Sequence, residues 1–301
     1  MDDSSGTNDG ATVFEAHGRS FEQNRYVYPV VSRRARGISI GVNLSLSKLC
    51  NFGCAYCQVD RTGARPEEVE VIDLARLRDE LESAIDLVLS GEIYRKEPFS
   101  RTPEPLRRLS DVALSGDGEP TLHVDFARVL STCAEVLRRR GLAGVKLVLL
   151  TNASLLHRPR VRQALKMLDE VGGEIWAKLD AGTEEAYRTI NRCSTVPFQQ
   201  ILCNLREAAI ARPLVIQSLW ARRFDEPPSG GEQEAFCDRL NEIVAAGGRI
   251  KLVQVHTVAR VPAEGWISPL ERDEFEALAD VVRLRTGLPV EVFGSGSGLD
   301  L

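Results

Sequence analysis

The chain has 301 residues with a formal net charge of −5; 43% are hydrophobic and 27% charged, values of an ordinary folded domain. That length suits one large α/β barrel or two ordinary domains. No apolar run is long enough to cross a bilayer, which speaks against a membrane protein, and the acidic balance gives no overall electrostatic reason to bind nucleic acid.

Residues 1–20, opening on MDDSSGTNDG, are rich in Ser, Gly, Asp and Asn and read as a flexible tail, which leaves 21–301 as a single domain. The opening has neither the basic start nor the apolar stretch of a secretory signal, so a cytoplasmic location is expected. In such a reducing compartment, clustered cysteines more often bind metal than form disulfides. Four basic runs, SRRAR (32–36), RRLS (107–110), RRR (138–140) and HRPRVR (157–162), read as solvated faces of helices and loops.

From GISIGVNLSLS (37–47) onward the chain alternates apolar with small or polar residues, as a strand does. IDLARLRDELESAIDLVLSG (72–91) then places apolar residues at helical spacing and stops at a glycine. The segment 91–110, with three prolines, reads as an irregular excursion over the surface, or else as a flap for a partner or substrate. The strand–helix rhythm resumes at DVALSG (111–116) with 125–141, VKLVLLT (145–151) with 160–168, and EIWAKLD (174–180) with 183–191 and 198–210. It continues with PLVIQSLW (213–220) and 231–247, IKLVQVHTV (250–258) and 270–287, and a short final strand, PVEVF (289–293). Apolar strands alternating with amphipathic helices imply a parallel sheet with helices outside. Six such units predict an α/β fold of the partial (β/α)6 TIM-like barrel type, open on one side, with its chemistry at the C-terminal ends of the strands.

Three of the seven cysteines, Cys50, Cys54 and Cys57, fall within CNFGCAYC directly after the first strand of that series. Zinc sites usually add a fourth Cys or His at matching spacing, and none lies nearby. A redox pair of Cys54 and Cys57 would leave Cys50 unexplained. Soft thiolates are the natural ligands of a 4Fe–4S cluster, and a tight loop containing Gly53 can present three of them to one face of a cube. The other four, Cys133, Cys193, Cys203 and Cys237, are dispersed and read as small buried hydrophobes.

CNFGCAYC resembles the Cys-x3-Cys-x2-Cys signature of the radical S-adenosylmethionine (radical SAM) superfamily, with Tyr56 as the aromatic residue before the last cysteine. LSGDGEPTLH (114–123) resembles that family's Gly-Gly-Glu motif in a longer form. By this resemblance Cys50, Cys54 and Cys57 hold a 4Fe–4S cluster whose fourth iron chelates SAM. Gly116, Gly118 and Glu119 meet the methionyl amino group, and Tyr56 with the neighbouring loop backbone holds the adenine. LLTNAS (149–154) and WAKLDAG (176–182) end the third and fourth strands. Thr151, Asn152 and Ser154 resemble the family's donors to the SAM carboxylate and ribose, with capping of the next helix as the plainer role. Lys178 and Asp180 share one face of their strand, which suits a pairing with the SAM carboxylate and ribose, or a buried salt bridge. Gln217, Gln254 and His256 project from later strand ends, either toward SAM or substrate or as satisfied core groups.

The resemblance implies reductive cleavage of SAM, started by one electron from an external flavodoxin- or ferredoxin-like carrier, and a radical that attacks the substrate. KLDAGTEEAYRTINR (178–192) and VQVHTVARVPAEGWISPL (253–270) resemble the wyosine-forming tRNA-modifying branch, but no cysteine precedes Cys50, where that branch holds a second cluster. The substrate is therefore open, a small molecule or a modified nucleotide, with nucleic acid not favoured and no membrane expected. The alternatives are activation of a partner protein by a radical, transfer of the SAM aminocarboxypropyl group, and non-catalytic metal binding.

Overall fold

A computed structural model describes residues 21–61 and 71–294. The residues read as a flexible tail lie outside them.

Ten strands are present among the described residues: β1 (Val27–Ser32), β2 (Gly37–Val42), β3 (Leu109–Leu114), β4 (Lys146–Thr151), β5 (Glu174–Lys178), β6 (Leu214–Leu219), β7 (Ala221–Arg223), β8 (Ile250–His256), β9 (Ile267–Pro269) and β10 (Val290–Phe293). The α-helices among the described residues are α1 (Leu74–Leu89), α2 (Phe126–Arg139), α3 (Pro159–Glu170), α4 (Glu184–Ile190), α5 (Phe198–Ala211), α6 (Gly230–Ala245) and α7 (Arg272–Thr286). One eight-stranded sheet runs in the order β1-β2-β3-β4-β5-β6-β8-β10, and every pairing from β2 onward is parallel. Helices connect consecutive parallel strands, as a crossover requires. This is the expected curled, partial-barrel α/β architecture.

The sequence reading missed β1, which pairs antiparallel with β2 through the turn at 33–36. It contains Pro29, a residue confined to sheet edges because it cannot donate to a ladder, and β1 is an edge strand. The ribbon of β7 and β9 was missed as well, since each has three residues and no period to detect. The excursion at 91–110 packs onto the protein, and its last two residues already belong to β3. It forms three short 3-10 turns that bury Ile93, Phe99 and Leu106 in the core.

Helix limits follow from local chemistry. Asp73 caps α1 by accepting from the Ala75 and Arg76 amides, Ser229 and Glu232 form a reciprocal cap on α6, and α7 ends at Gly287 with φ +67°. The strands alternate between two environments. Ile38, Ile40, Leu147, Leu149, Ile175, Ile216 and Val253 face the helices and belong to the main core. Burial of each such side chain favours folding by ~1.5–3 kcal/mol. The residues between them (Ser39, Asp111, Ala113, Trp176, Lys178, Gln217 and His256) line a cavity inside the curl. Polar groups on that second face are what a site needs and a core does not.

Candidate active site

The cavity has a volume of about 360 Å³. Cys50, Cys54 and Cys57 all line it, half-buried, on the loop that follows β2. Local pairing holds this loop. The Gly53 amide donates to the Asn191 carbonyl at 3.1 Å, Ala55 donates to Ile190 at 2.8 Å, and Glu264 donates back to the Ala55 carbonyl at 3.2 Å. Ala55 and Tyr56 also pack with Ile190, Leu219, Val258 and Ile267 in a small apolar cluster. The chain after α4 and the loop after β8 thus clamp the cysteine loop from two sides.

The segment Gly116–Glu119 follows β3 and lines the same cavity. Its glycines serve close approach. A Cβ at Gly116 would stand 2.2 Å from Asn43 Oδ1, and one at Gly118 would stand 1.8 Å from the Leu49 carbonyl oxygen. The Glu119 carboxylate is buried and accepts from Thr151 Oγ1 at 2.6 Å, from the Asn152 amide at 2.7 Å, and from the hydroxyl and amide of Thr121. Burial pushes its pKa up, against the pull of those hydrogen bonds.

At the end of β4, Thr151 and the following Asn152 reach the cavity wall, whereas Ser154 is fully buried behind it. Asn152 Nδ2 donates to Asn51 Oδ1 at 2.9 Å, and Asn51 Nδ2 donates to Ser154 Oγ at 2.9 Å. Asn51, inside the cysteine motif itself, is the partner that sequence reasoning missed. Neither Asn152 nor Ser154 caps the next helix, whose cap position is Arg158.

Lys178, at the end of β5, lines the cavity with its ammonium 4.5 Å from the centre of the Tyr56 ring and its Nζ donating to the Tyr56 hydroxyl at 2.7 Å. Asp180 sits just outside the wall. Its carboxylate accepts from the Tyr56 hydroxyl, from Asn191 Nδ2 at 2.8 Å and from the Leu219 amide at 2.9 Å, with Lys178 Nζ 3.9 Å away. Burial first, and Asp180 next, push the Tyr56 pKa well above its ordinary value, so the phenol keeps its proton and donates it. Gln217 Nε2 donates to Gln254 Oε1 at 2.8 Å. Gln217 and His256 line the cavity, and Gln217 Oε1 and His256 Nδ1 are buried there without a hydrogen-bond partner.

Among the described residues no three His, Cys, Asp or Glu side chains are grouped as the ligands of a single metal ion. Burial pushes up the Cys50 thiol and brings Cys54 to about 12, while Arg61, which also lines the cavity, is hydrogen-bonded with Cys50 and Cys57. Three soft donors with Arg61 and Lys178 beside them match the demands of an anionic thiolate-bound cluster. The residues present fit that group. Of the remaining cysteines, Cys133, Cys193 and Cys237 are buried as expected, and Cys203 is half-exposed with its sulfur 3.6 Å from Glu207.

The basic run at 32–36 departs from its reading as a solvated face. Arg36 is exposed and pairs with Glu291 at 3.2 Å, but Arg33 and Arg34 line the cavity.

Comparison with known proteins agrees with this geometry. The profile of the family described as the Radical SAM superfamily matches residues 44–216, more than half of the chain. This chain belongs to the radical SAM superfamily. A protein named UPF0026 protein from Helicobacter pylori is 30% identical over 175 residues, covering 58% of this chain and 48% of that protein. The chain therefore spans about half the length of such curated relatives. A radical SAM methyltransferase from Sphaerobacter thermophilus superposes with a TM-score of 0.61 at 12% identity, covering 89% of this chain and 69% of that one. Streptococcus suis SuiB bound to S-adenosylmethionine superposes at 0.53 and 12% identity, covering 88% and 49%. At those identities the likeness is one of fold.

Proposed function

We propose that this chain is a radical SAM enzyme that holds a 4Fe–4S cluster on Cys50, Cys54 and Cys57 and cleaves SAM reductively to start radical chemistry on a substrate in the same cavity. The observation that carries this is the convergence, on one cavity, of the three cysteines with the loops that follow β3, β4 and β5. When bound, the cluster supplies the electron for breaking a carbon–sulfur bond of SAM.

The chain's own residues do the rest. The backbone of Gly116–Gly118 lies open to the cavity for an ammonium group, and Glu119 holds the β3 and β4 loops in register behind it. Lys178 offers a cation to a carboxylate from above the Tyr56 ring. Asp180 fixes Tyr56 and the Asn191 side chain, so its service is to the wall and not to a ribose hydroxyl. Thr151 and Asn152 form the wall through Glu119 and Asn51. Enclosure by the curled sheet keeps water from reactive species. The electron arrives from an external flavodoxin- or ferredoxin-like carrier.

Anaerobic reconstitution of the wild type and of a variant with Ala at Cys50, Cys54 and Cys57 tests the assignment. The wild type is expected to bind about four irons and to bind SAM, and the variant to lose both. Equal SAM affinity in the two proteins would overturn the reading.

A further inference from the structure

Two asparagines from different elements aim side-chain amides at the cysteine sulfurs. Asn191, the residue that closes α4, has Nδ2 3.7 Å from Cys54 Sγ and donates from the same nitrogen to Asp180 Oδ2 at 2.8 Å. A carboxylate that already holds the Tyr56 hydroxyl and the Leu219 amide accepts, so it is the amino end of the amide that turns this way. One N–H of that amino group serves Asp180 and the other is left for the sulfur. Asn152, just after β4, is oriented in the same manner. Its Oδ1 accepts the Ser154 amide at 3.0 Å, its Nδ2 donates to Asn51 Oδ1 at 2.9 Å, and that Nδ2 lies 4.0 Å from Cys50 Sγ. The two residues are 3% and 6% exposed, so bulk water does not compete for either bond.

We propose that the Asn191 side-chain amide, with Asn152 as its weaker counterpart, raises the reduction potential of the 4Fe–4S cluster by donating to the Cys54 and Cys50 thiolates, and so brings that cluster within reach of a one-electron carrier. The proposal rests on reading Cys50, Cys54 and Cys57 as the mount of that cluster. The step it concerns is the transfer of one electron from the external carrier, with no bond made or broken in the protein.

The sign follows from charge. Electron uptake adds a negative charge that is shared by the ligating sulfurs, and an N–H pointed at a sulfur stabilises the more negative state more. An amide does this without altering the net charge of the site, whereas a Lys or Arg there would also neutralise Asp180. Holding the loop is a separate task, carried by backbone groups. The Gly53 amide donates to the Asn191 carbonyl at 3.1 Å and the Ala55 amide to the Ile190 carbonyl at 2.8 Å, and a change of the Asn191 side chain removes neither group. The amide contact with Cys54 is therefore additional to the fastening of the loop, and its consequence falls on the sulfur.

Redox titration of the anaerobically reconstituted full chain, with dithionite and viologen mediators and without SAM, tests this by the electron paramagnetic resonance of the reduced cluster. Asn191→Leu keeps the branching at Cγ, fills the space against water and removes the donor. Its potential is expected to fall by a factor of about three to ten in the reduction equilibrium, about 30 to 60 mV for one electron, with a smaller fall in Asn152→Leu. A second measurement needs no substitution: wild-type protein carrying asparagine labelled with nitrogen-15 at the side-chain amide is expected to show coupling of that nucleus to the reduced cluster. It decides the matter if Asn191→Leu folds poorly. An unchanged or raised potential in a cluster-loaded Asn191→Leu, or no such coupling in the wild type, would overturn the proposal and leave the cluster reading standing. A wild type that takes up no iron would overturn both.

Discussion

Gly118 and Leu49 touch through their backbones: a Cβ on Gly118 would lie 1.8 Å from the Leu49 carbonyl oxygen, the same oxygen that accepts the Glu119 amide at 3.2 Å. The residue before Cys50 is thus seated on the loop that follows β3. Two motifs about seventy residues apart form one piece of structure, and the glycine is required by contact rather than by flexibility.

Gly118→Ala is therefore expected to push the cysteine loop off its seat. We predict a loss of ~1–3 kcal/mol in stability and a lower iron content after reconstitution. Gly144→Ala is the control, because its Cβ would meet nothing within 4 Å. Thermal unfolding and iron analysis of the two variants check this, and equal behaviour would contradict the packing argument.

Asp180→Ala should act on the fold before it acts on SAM. The substitution strands the Leu219 amide, Asn191 Nδ2 and the Tyr56 hydroxyl, all buried, at a cost of ~3 kcal/mol. The expected outcome is a lower melting temperature together with poorer iron retention. A variant with unchanged melting and iron content but weak SAM binding would make Asp180 a direct SAM ligand instead.

Lys178→Met leaves Asp180 with its three donors and removes a cation from the cavity wall. SAM affinity is predicted to fall by roughly tenfold, the effect of losing one charged hydrogen bond, while iron content stays at the wild-type level. Equilibrium binding of SAM measures this. Unchanged affinity would remove Lys178 from the SAM site.

Glu174, at the start of β5, predicts an acid limit. Burial would raise its pKa, but hydrogen bonds from Lys251 at 2.7 Å and Trp176 at 2.9 Å, with Lys146 at 3.0 Å, outweigh that and hold it at about 2. The folded-state value lies below the unfolded one, so the contribution is complete above the unfolded pKa and fades as pH falls toward the folded value. Stability should drop by up to about 3 kcal/mol between roughly pH 5 and pH 2 through this group. Glu174→Gln should flatten that part of the pH–stability curve measured by denaturant unfolding; an unaltered slope would refute the assignment.

The strand–helix rhythm made the barrel legible, because parallel strands covered on both faces read as apolar runs such as KLVLLT and LVIQSL. The cysteine triad and the loops after β3, β4 and β5 were legible by spacing and position. The partners that hold them were not. Asn51 and Asn191 are ordinary polar residues, and only the fold brings Asn191 to Cys54, 3.7 Å away. Arg33 and Arg34 read as a surface patch, since a basic dipeptide at a turn carries no sign of which way its side chains point. The two segments resembling the wyosine-forming branch, 178–192 and 253–270, contain Ile190, Asn191 and Glu264, which clamp the cysteine loop.

The most direct test of the account is chromatographic identification of the SAM-derived product formed by anaerobically reconstituted protein supplied with a reductant. The account predicts 5′-deoxyadenosine from the wild type and none from the variant with alanine at all three cysteines. Methylthioadenosine in its place, or intact SAM with a fully loaded wild-type protein, would contradict it.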